Sequence, residues 1–192
     1  MKVNRSTAAS AAVAGLLLAS GAEAHVFGEH AGGFAAGVAH PFTGLDHLLA
    51  MIAVGMWAAR GGARAAWGVA PSFVAAMAAG SALALGGFAL PHVEAGIASS
   101  VLVLGLFVAL AVRLPLLAGV SLSGAFALFH GYAHGAELPA MASPFSYAAG
   151  FLLATAALIA SGCAVGRMLN VRLLRFAGLC VAAAGAAFLA TA

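Results

Sequence analysis

A first group of side chains that could bind a metal ion lies between His40 and His47. These two histidines are seven residues apart, close to two turns of an α-helix, so both imidazoles return to nearly the same face. Asp46 stands beside His47 and adds a carboxylate. Pro41 and Gly44 weaken the helix between the histidines, which allows their rings to lie closer than two regular turns.

A second group follows Phe129 and contains His130, His134 and Glu137. His130 and His134 are one helical turn apart and share a face. If the helix continues that far, Glu137 lies beside His134 as its i+3 neighbour. Neutral imidazole nitrogens with carboxylate oxygens suit Ni²⁺, Co²⁺, Zn²⁺ or Cu²⁺, whereas Mg²⁺ and Ca²⁺ prefer oxygen ligands. The two groups therefore predict a site for a divalent transition metal.

The composition indicates which elements carry these side chains. Hydrophobic residues make up 64% of the 192, charged residues 7%, and the mean hydropathy is +1.09. A soluble domain carries about 25% charged residues, so the surface of this chain must face a lipid bilayer. Its 25 glycines allow transmembrane helices to approach one another closely. The basic residues are few and stand singly, which excludes nucleic acid as a partner despite the pI near 9.4.

The first 24 residues are predicted to be a cleavable signal peptide. Lys2 and Arg5 precede an apolar stretch, and Ala22 and Ala24 supply the small residues of a cleavage site. The alternative is an uncleaved transmembrane helix, for which the apolar stretch is short. Cleavage would expose a tract of potential metal ligands, whose role the sequence leaves open: His25, Glu29 and His30.

The remaining residues, 25–192, predict a single domain of six transmembrane helices. Most of its apolar segments are long enough to cross a bilayer as helices, which satisfy their own backbone groups in lipid. The fold class is therefore an all-α polytopic membrane bundle. The six segments are residues 34–59, 65–90, 93–112, 114–132, 144–166 and 173–192.

Charge placement gives this bundle an orientation. Positive residues mark cytoplasmic loops, and beyond the signal peptide they occur only in or directly beside the first, third and fifth connections: Arg60, Arg64, Arg113, Arg167, Arg172 and Arg175. Both termini are then expected on the outer side of the membrane. Glu94 follows Pro91 and His92 in an outer connection, where it either draws cations towards the site or is an ordinary solvated charge.

The histidines lie at a common depth in this arrangement. At about 1.5 Å per residue, His47 stands about 20 Å above Arg60, and His130 about 26 Å above Arg113. A single intramembrane histidine is as often a hydrogen-bond partner between helices as a ligand. Placing an ionised carboxylate within a membrane span costs about 2.5 kcal/mol or more, and such a residue normally faces the bundle interior and marks an ion or substrate pathway. Asp46 together with four histidines therefore favours an ion site.

At these residues the chain resembles the HupE/UreJ family of bacterial nickel/cobalt permeases, which are associated with hydrogenase and urease maturation. The matching stretches are residues 40–51 and 129–137, with 91–98 as a third. The resemblance implies metal uptake from the periplasm into the cytoplasm across a bacterial inner membrane, with both termini on the periplasmic side. It also implies principal roles for His40, Asp46 and His47, and supporting roles for Glu94, His134 and Glu137. Tyr132 stands where many relatives have histidine, and residues 158–162 lack a histidine found in many fifth spans.

The expected activity is that of a secondary permease rather than an enzyme. The chain has no Walker-type nucleotide motif, and Ser123 lies about two turns from His130, too far for a hydrolase pair. The alternative is a membrane b-type haem protein with paired axial histidines. In the permease reading we expect no cofactor, because the metal ion is the transported substrate. The sequence does not decide whether that ion is Ni²⁺, Co²⁺ or Zn²⁺. It also leaves open the coupling ion and whether the protein is a homo-oligomer.

Overall fold

The computed structural model describes residues 33–140 and 142–192. Within them every regular element is a helix, so the all-α prediction is confirmed. The predicted signal peptide, residues 1–24, and the tract of His25, Glu29 and His30 lie outside the described residues. The helices are α1 (Gly33–Thr43), α2 (Leu45–Arg60), α3 (Ala63–Leu85), α4 (Val93–Ala109), α5 (Leu116–Ala136), α6 (Pro144–Met168) and α7 (Val171–Leu189).

The first predicted span is two helices rather than one. α1 and α2 meet at Gly44 with a bend of 80°. Gly44 has an extended backbone (φ −91°, ψ 112°), which ends the helical hydrogen bonding between them. Pro41 lies inside α1, one turn before the break, and the Thr43 hydroxyl donates to the His40 carbonyl at 2.7 Å. The expectation of a continuous helix over residues 34–59 is therefore wrong, because the weak point at Gly44 becomes a corner.

The described residues form a multi-pass membrane protein. Four helices, α3, α5, α6 and α7, are long and apolar enough to cross a bilayer, and the bent pair α1–α2 counts as a fifth crossing if it forms one span. α4 is apolar but has only 17 residues. At 1.5 Å per residue it extends about 25 Å, somewhat less than a hydrocarbon core of about 30 Å.

Glycines set the close packing of the bundle. α3 packs along α5, α4 along α7, and α6 along both α1 and α2. At these seams a glycine of one helix faces the backbone of another, as Gly131 faces the Met77 carbonyl and Gly55 faces the Ile159 carbonyl. A side chain at either position would collide with that carbonyl. This packing holds the end of α5 beside the corner between α1 and α2.

The arginine-bearing connections gather at one end of the bundle, as the charge pattern predicts. Arg60, Arg64 and Arg113 line one cavity of about 490 Å³. The Trp57 indole N–H ties α2 to the α4–α5 connection by donating to the Val112 carbonyl at 2.9 Å. His47 is near the opposite end of α2, about 20 Å from Arg60 along the helix axis.

Candidate metal site

The corner at Gly44 brings two histidines together. His40 is in the last turn of α1 and His47 in the first turn of α2. Their ring centroids are 6.3 Å apart. In a straight helix the seven-residue step would separate them by about 10 Å along the axis. The corner thus gives the shorter separation that Pro41 and Gly44 suggest in the sequence.

The two histidines of α5 complete a cluster with those of the corner. The His134 ring lies 4.7 Å, centroid to centroid, from both His40 and His47. His130 lies 4.7 Å from His47. All these pairs meet edge to face. We call these four imidazoles, from α1, α2 and α5, the histidine cluster: His40, His47, His130 and His134.

Asp46 orients His47 within this cluster. One carboxylate oxygen, Oδ1, accepts from the backbone N–H of His47 at 2.7 Å and lies 2.8 Å from its Nδ1. Because a carboxylate can only accept, the ring must donate its Nδ1–H, and in the neutral ring Nε2 then keeps the lone pair. Histidines that bind metals usually donate their other ring N–H to such a partner.

Glu137 caps the cluster at its exposed edge. It follows the last residue of α5, and its Oε2 lies 2.9 Å from His40 Nε2. The hydrogen bond from His40 lowers the pKa of Glu137, so the carboxyl is ionised at neutral pH. The sequence places Glu137 beside His134 as an i+3 neighbour, but its contact is instead with His40 across the helix boundary.

Several ring nitrogens of the cluster are buried without a hydrogen-bond partner in the described part of the chain. They are His47 Nε2, His130 Nδ1, and both Nδ1 and Nε2 of His134. Each buried polar atom without a hydrogen-bond partner lowers the stability of the fold by about 1–3 kcal/mol. Several such atoms in one place therefore indicate a functional role, such as ligand binding. Three neighbouring imidazoles therefore carry nitrogens that are free to bind a ligand.

Aromatic residues of α6 form one wall of the cluster. Phe151 stacks on His134 with ring centroids 4.6 Å apart and an interplanar angle of 3°. The Tyr147 ring lies 5.9 Å from that of His40, and its hydroxyl is buried without a partner among the described residues. Neither residue is identified by the sequence patterns, because their contact with the cluster depends on how α6 packs against α1 and α2.

The donors are not arranged around a single point. In residues 33–140 and 142–192, no three His, Cys, Asp or Glu side chains form a group that could hold a metal ion. His40 and His47 each use a ring nitrogen on a carboxylate, and the rings contact one another edge to face. Coordination by three of these donors therefore requires at least one side chain to rotate.

Glu94, also a predicted site residue, is not brought into the cluster. It lies exposed in the first turn of α4 and forms no ion pair with a described residue. Ser100 lies six residues later on the same helix and is fully buried, and its hydroxyl is the group that contacts the cluster, at His130 Nε2. Ser100 escapes the sequence analysis because a serine in an apolar run gives no metal-ligand pattern.

The fold and the site together define a class: a multi-pass helical membrane protein with a cluster of mostly buried imidazoles, bordered by two carboxylates, near one end. Comparison with known proteins agrees with this class. The profile of the family described as "HupE / UreJ protein" matches residues 12–188. The chain belongs to the HupE / UreJ family, so the resemblance seen in its motifs is confirmed.

A curated relative supports the same assignment. The chain is 47% identical over 193 aligned residues to "Protein HupE" of Rhizobium leguminosarum bv. viciae, with 98% of this chain and 99% of the relative covered. No solved structure matches the chain. The family consists of transport and accessory proteins rather than catalytic enzymes, in agreement with the expectation from the sequence.

Proposed function

We propose that this protein is a secondary permease that carries a divalent transition metal ion from the periplasm to the cytoplasm. Ni²⁺ is the first candidate, with Co²⁺ and Zn²⁺ as the competing ions. The observation that carries the proposal is the set of buried nitrogens in the histidine cluster that have no hydrogen-bond partner among the described residues. Membership of a family associated with nickel and cobalt transport supports it.

The donor set suits an ion that must enter and leave. Imidazole nitrogens with carboxylate oxygens bind Ni²⁺, Co²⁺ and Zn²⁺ well, while thiolates, which hold such ions most firmly, are absent from the cluster. Transport requires binding that is favourable on entry but reversible on exit. In this proposal His47 and His130 bind the ion, His40 and His134 pass it inward, and Asp46 offsets part of its charge.

The exposure of the side chains supports an order of entry. The Glu137 side chain is 54% exposed and that of His40 is 24% exposed. The His47 side chain is 9% exposed, and His130 and His134 are fully buried. An ion from outside would therefore meet the Glu137–His40 pair first, and displacing that hydrogen bond would admit it to the deeper imidazoles.

The membrane arrangement of the proposal has six spans. The bent pair α1–α2 forms one broken span, and α4 crosses with the help of its flanking apolar residues. After cleavage of residues 1–24, the domain of residues 25–192 has both termini in the periplasm and its arginine-bearing connections in the cytoplasm. A broken span suits this role, because irregular backbone at membrane depth is tolerated where it lines a polar site.

The membrane potential is a sufficient source of energy. A doubly charged cation moving inward gains about 4.6 kcal/mol at 100 mV. The sequence contains no Walker-type motif for ATP hydrolysis. Uptake is therefore expected to depend on the potential or on an ion gradient.

Ring packing weighs against the haem alternative. Axial histidines must face each other across a macrocycle, whereas the imidazoles here contact one another directly at 4.7 Å. A visible spectrum of the purified protein with a Soret band would favour haem.

The proposal is tested with purified protein in liposomes that enclose a metal-sensitive dye. With an inside-negative potential we expect Ni²⁺ to enter faster than into empty liposomes, and Co²⁺ and Zn²⁺ to rank behind it, while Mg²⁺ does not enter. Rates equal to those of empty liposomes for every transition metal would contradict the proposal.

A further inference from the structure

Ser100 of α4 occupies a position between two polar atoms in the buried part of the bundle. The residue is fully buried. Its Oγ lies 2.6 Å from the carbonyl oxygen of Ile97, on its own helix. The same Oγ lies 2.7 Å from His130 Nε2, on α5. Neither contact belongs to the ion pairs that organise the rest of the histidine cluster.

The hydrogens of this contact can be placed by counting. A serine hydroxyl has one hydrogen, and a carbonyl can only accept. The hydroxyl hydrogen therefore goes to Ile97, and Ser100 Oγ must accept from His130 Nε2–H. If the hydroxyl instead donated to His130 Nε2, two acceptors would face each other at 2.6 Å, and the N–H left at Nδ1 would be buried without a partner.

We propose that Ser100 is a positioning residue that holds His130 in its Nε2–H tautomer and so presents the Nδ1 lone pair to the transported metal ion. The inference rests on the proposed function and deepens it. His130 Nδ1 is buried and has no hydrogen-bond partner in the described part of the chain, as a nitrogen reserved for a ligand would be.

His47 shows the same division between an anchored and a free nitrogen. Its Nδ1–H donates to Asp46 Oδ1 at 2.8 Å, while its Nε2 is buried and has no partner within residues 33–140 and 142–192. The rings of His47 and His130 are neighbours at 4.7 Å. Two adjacent imidazoles thus each have one ring N–H fixed by an outer partner and one lone pair free. In His134, by contrast, neither nitrogen has a partner among the described residues.

Local packing holds Ser100 in place. Gly96 lies one turn before Ser100 on α4 and faces the ring of Phe129, the residue before His130. A Cβ on Gly96 would lie 2.6 Å from Phe129 Cγ, so only glycine permits this approach of α4 to α5. The contact sets the distance at which the Ser100 hydroxyl meets the imidazole.

The tautomer is tested directly in the metal-free protein by NMR of ring-labelled histidine, with a His130→Asn variant to assign the signal. We expect His130 of the wild type to be protonated at Nε2 and not at Nδ1. Ser100→Thr keeps the hydroxyl and should keep this tautomer, whereas Ser100→Ala should lose the fixed preference. A wild-type His130 protonated at Nδ1 would overturn the inference.

The consequence for the ion is tested by calorimetric titration of the same proteins with Ni²⁺. Loss of an outer partner of a metal-binding histidine typically costs 10–100-fold in affinity, so Ser100→Ala should weaken binding by about that factor. Ser100→Thr should restore most of it. Ser123→Ala is the matched control, because Ser123 is also buried and donates to a backbone carbonyl at 2.7 Å but forms no hydrogen bond with a described imidazole.

The outcomes separate this inference from the proposed function. If the wild type binds Ni²⁺ and Ser100→Ala binds it as tightly as Ser123→Ala does, the inference is overturned and the permease proposal stands. If the wild type binds no transition metal, the proposed function fails, and the role of Ser100 towards the ion fails with it, whatever tautomer is observed.

Discussion

The carboxylates around the histidine cluster have different contacts. Asp46 bonds the ring and backbone of His47 on its own helix, which fixes which nitrogen is free. Glu137 reaches another helix and holds His40 at the exposed edge. In the proposed function Asp46 therefore orients one deep imidazole, and Glu137 controls access to the cluster.

Replacement of Asp46 by asparagine tests the orienting role. Asp46→Asn keeps an oxygen that can accept from His47 but removes the negative charge. We expect Ni²⁺ affinity to fall by about 10–100-fold, as for other outer partners of metal-binding histidines, with a normal amount of protein in the membrane. Calorimetric titration measures the change, and an unchanged dissociation constant would contradict the assigned role.

The two exposed carboxylates at the same end of the bundle provide a matched comparison. Glu137 contacts His40, whereas Glu94 contacts no described cationic side chain. We expect Glu137→Gln to lower uptake strongly at every salt concentration. Glu94→Gln should lower the rate only at low ionic strength, where an unscreened surface charge attracts cations. Equal losses in both variants at high salt would contradict the distinction between them.

The residues of the histidine cluster could be predicted from the sequence, but their contacts could not. Spacings of four and seven place imidazoles on one helix face, which identifies His40, His47, His130 and His134. The pairing of Glu137 with His40, and of Ser100 with His130, joins different helices. Such contacts depend on how the helices cross, and the spacing of residues within one helix does not determine that crossing.

At the scale of the elements, the corner at Gly44 has the largest effect on the site. It turns a two-turn separation of His40 and His47 into a ring distance of 6.3 Å. It also starts α2 with Asp46 in its first turn, where a carboxylate is stabilised by the helix dipole. Pro41 and Gly44 indicate a weak point in the sequence, but the 80° angle results from packing of both helices against α6.

Gly44→Ala tests the corner. A Cβ there would lie 3.0 Å from Asp46 Oδ1 and 3.2 Å from His47 Nδ1, so the Asp46–His47 pair would have to shift by a few tenths of an ångström. We expect weaker Ni²⁺ binding, by roughly tenfold, comparable with loss of an outer partner. The matched control is Gly124→Ala, where the Cβ meets only Ala76 Cβ at 3.9 Å. The same affinity in both variants would show that the corner geometry is not required.

The membrane helices themselves were accessible to sequence reasoning. Apolar runs bounded by arginine, proline and glycine predict α3 to α7 with shifts of a few residues at their ends. The short length of α4 was not predicted, because residues 110–112 are apolar yet lie outside the helix, where Ala111 has a positive φ of 54°.

At the scale of the whole molecule, charge is divided between the two ends of the bundle. Three arginines from two connections line one cavity, and the carboxylates Asp46 and Glu137 contact the histidine cluster far from it. Because positive loops remain in the cytoplasm, this division supports the proposed orientation, in which the histidine cluster faces the periplasm. The same orientation places the cluster on the side from which the metal would arrive.

Cysteine labelling tests that orientation. In a background with Cys163 and Cys180 changed to alanine, an impermeant maleimide should label His92→Cys in intact spheroplasts. It should label Arg64→Cys only after the membrane is permeabilised. Both positions are exposed on the structure, so accessibility reports the side of the membrane. The reverse labelling pattern would contradict the orientation and the proposed direction of transport.

The most direct test of the central claim is ⁶³Ni²⁺ uptake by cells that express the wild type, His47→Ala or His92→Asn at equal membrane levels. His47 is a buried member of the histidine cluster, whereas His92 is exposed outside it, and asparagine tolerates its left-handed backbone (φ 56°). The account predicts accumulation by the wild type and His92→Asn, and uptake at the level of empty cells for His47→Ala. Uptake by His47→Ala equal to that of the wild type would contradict transport through the histidine cluster.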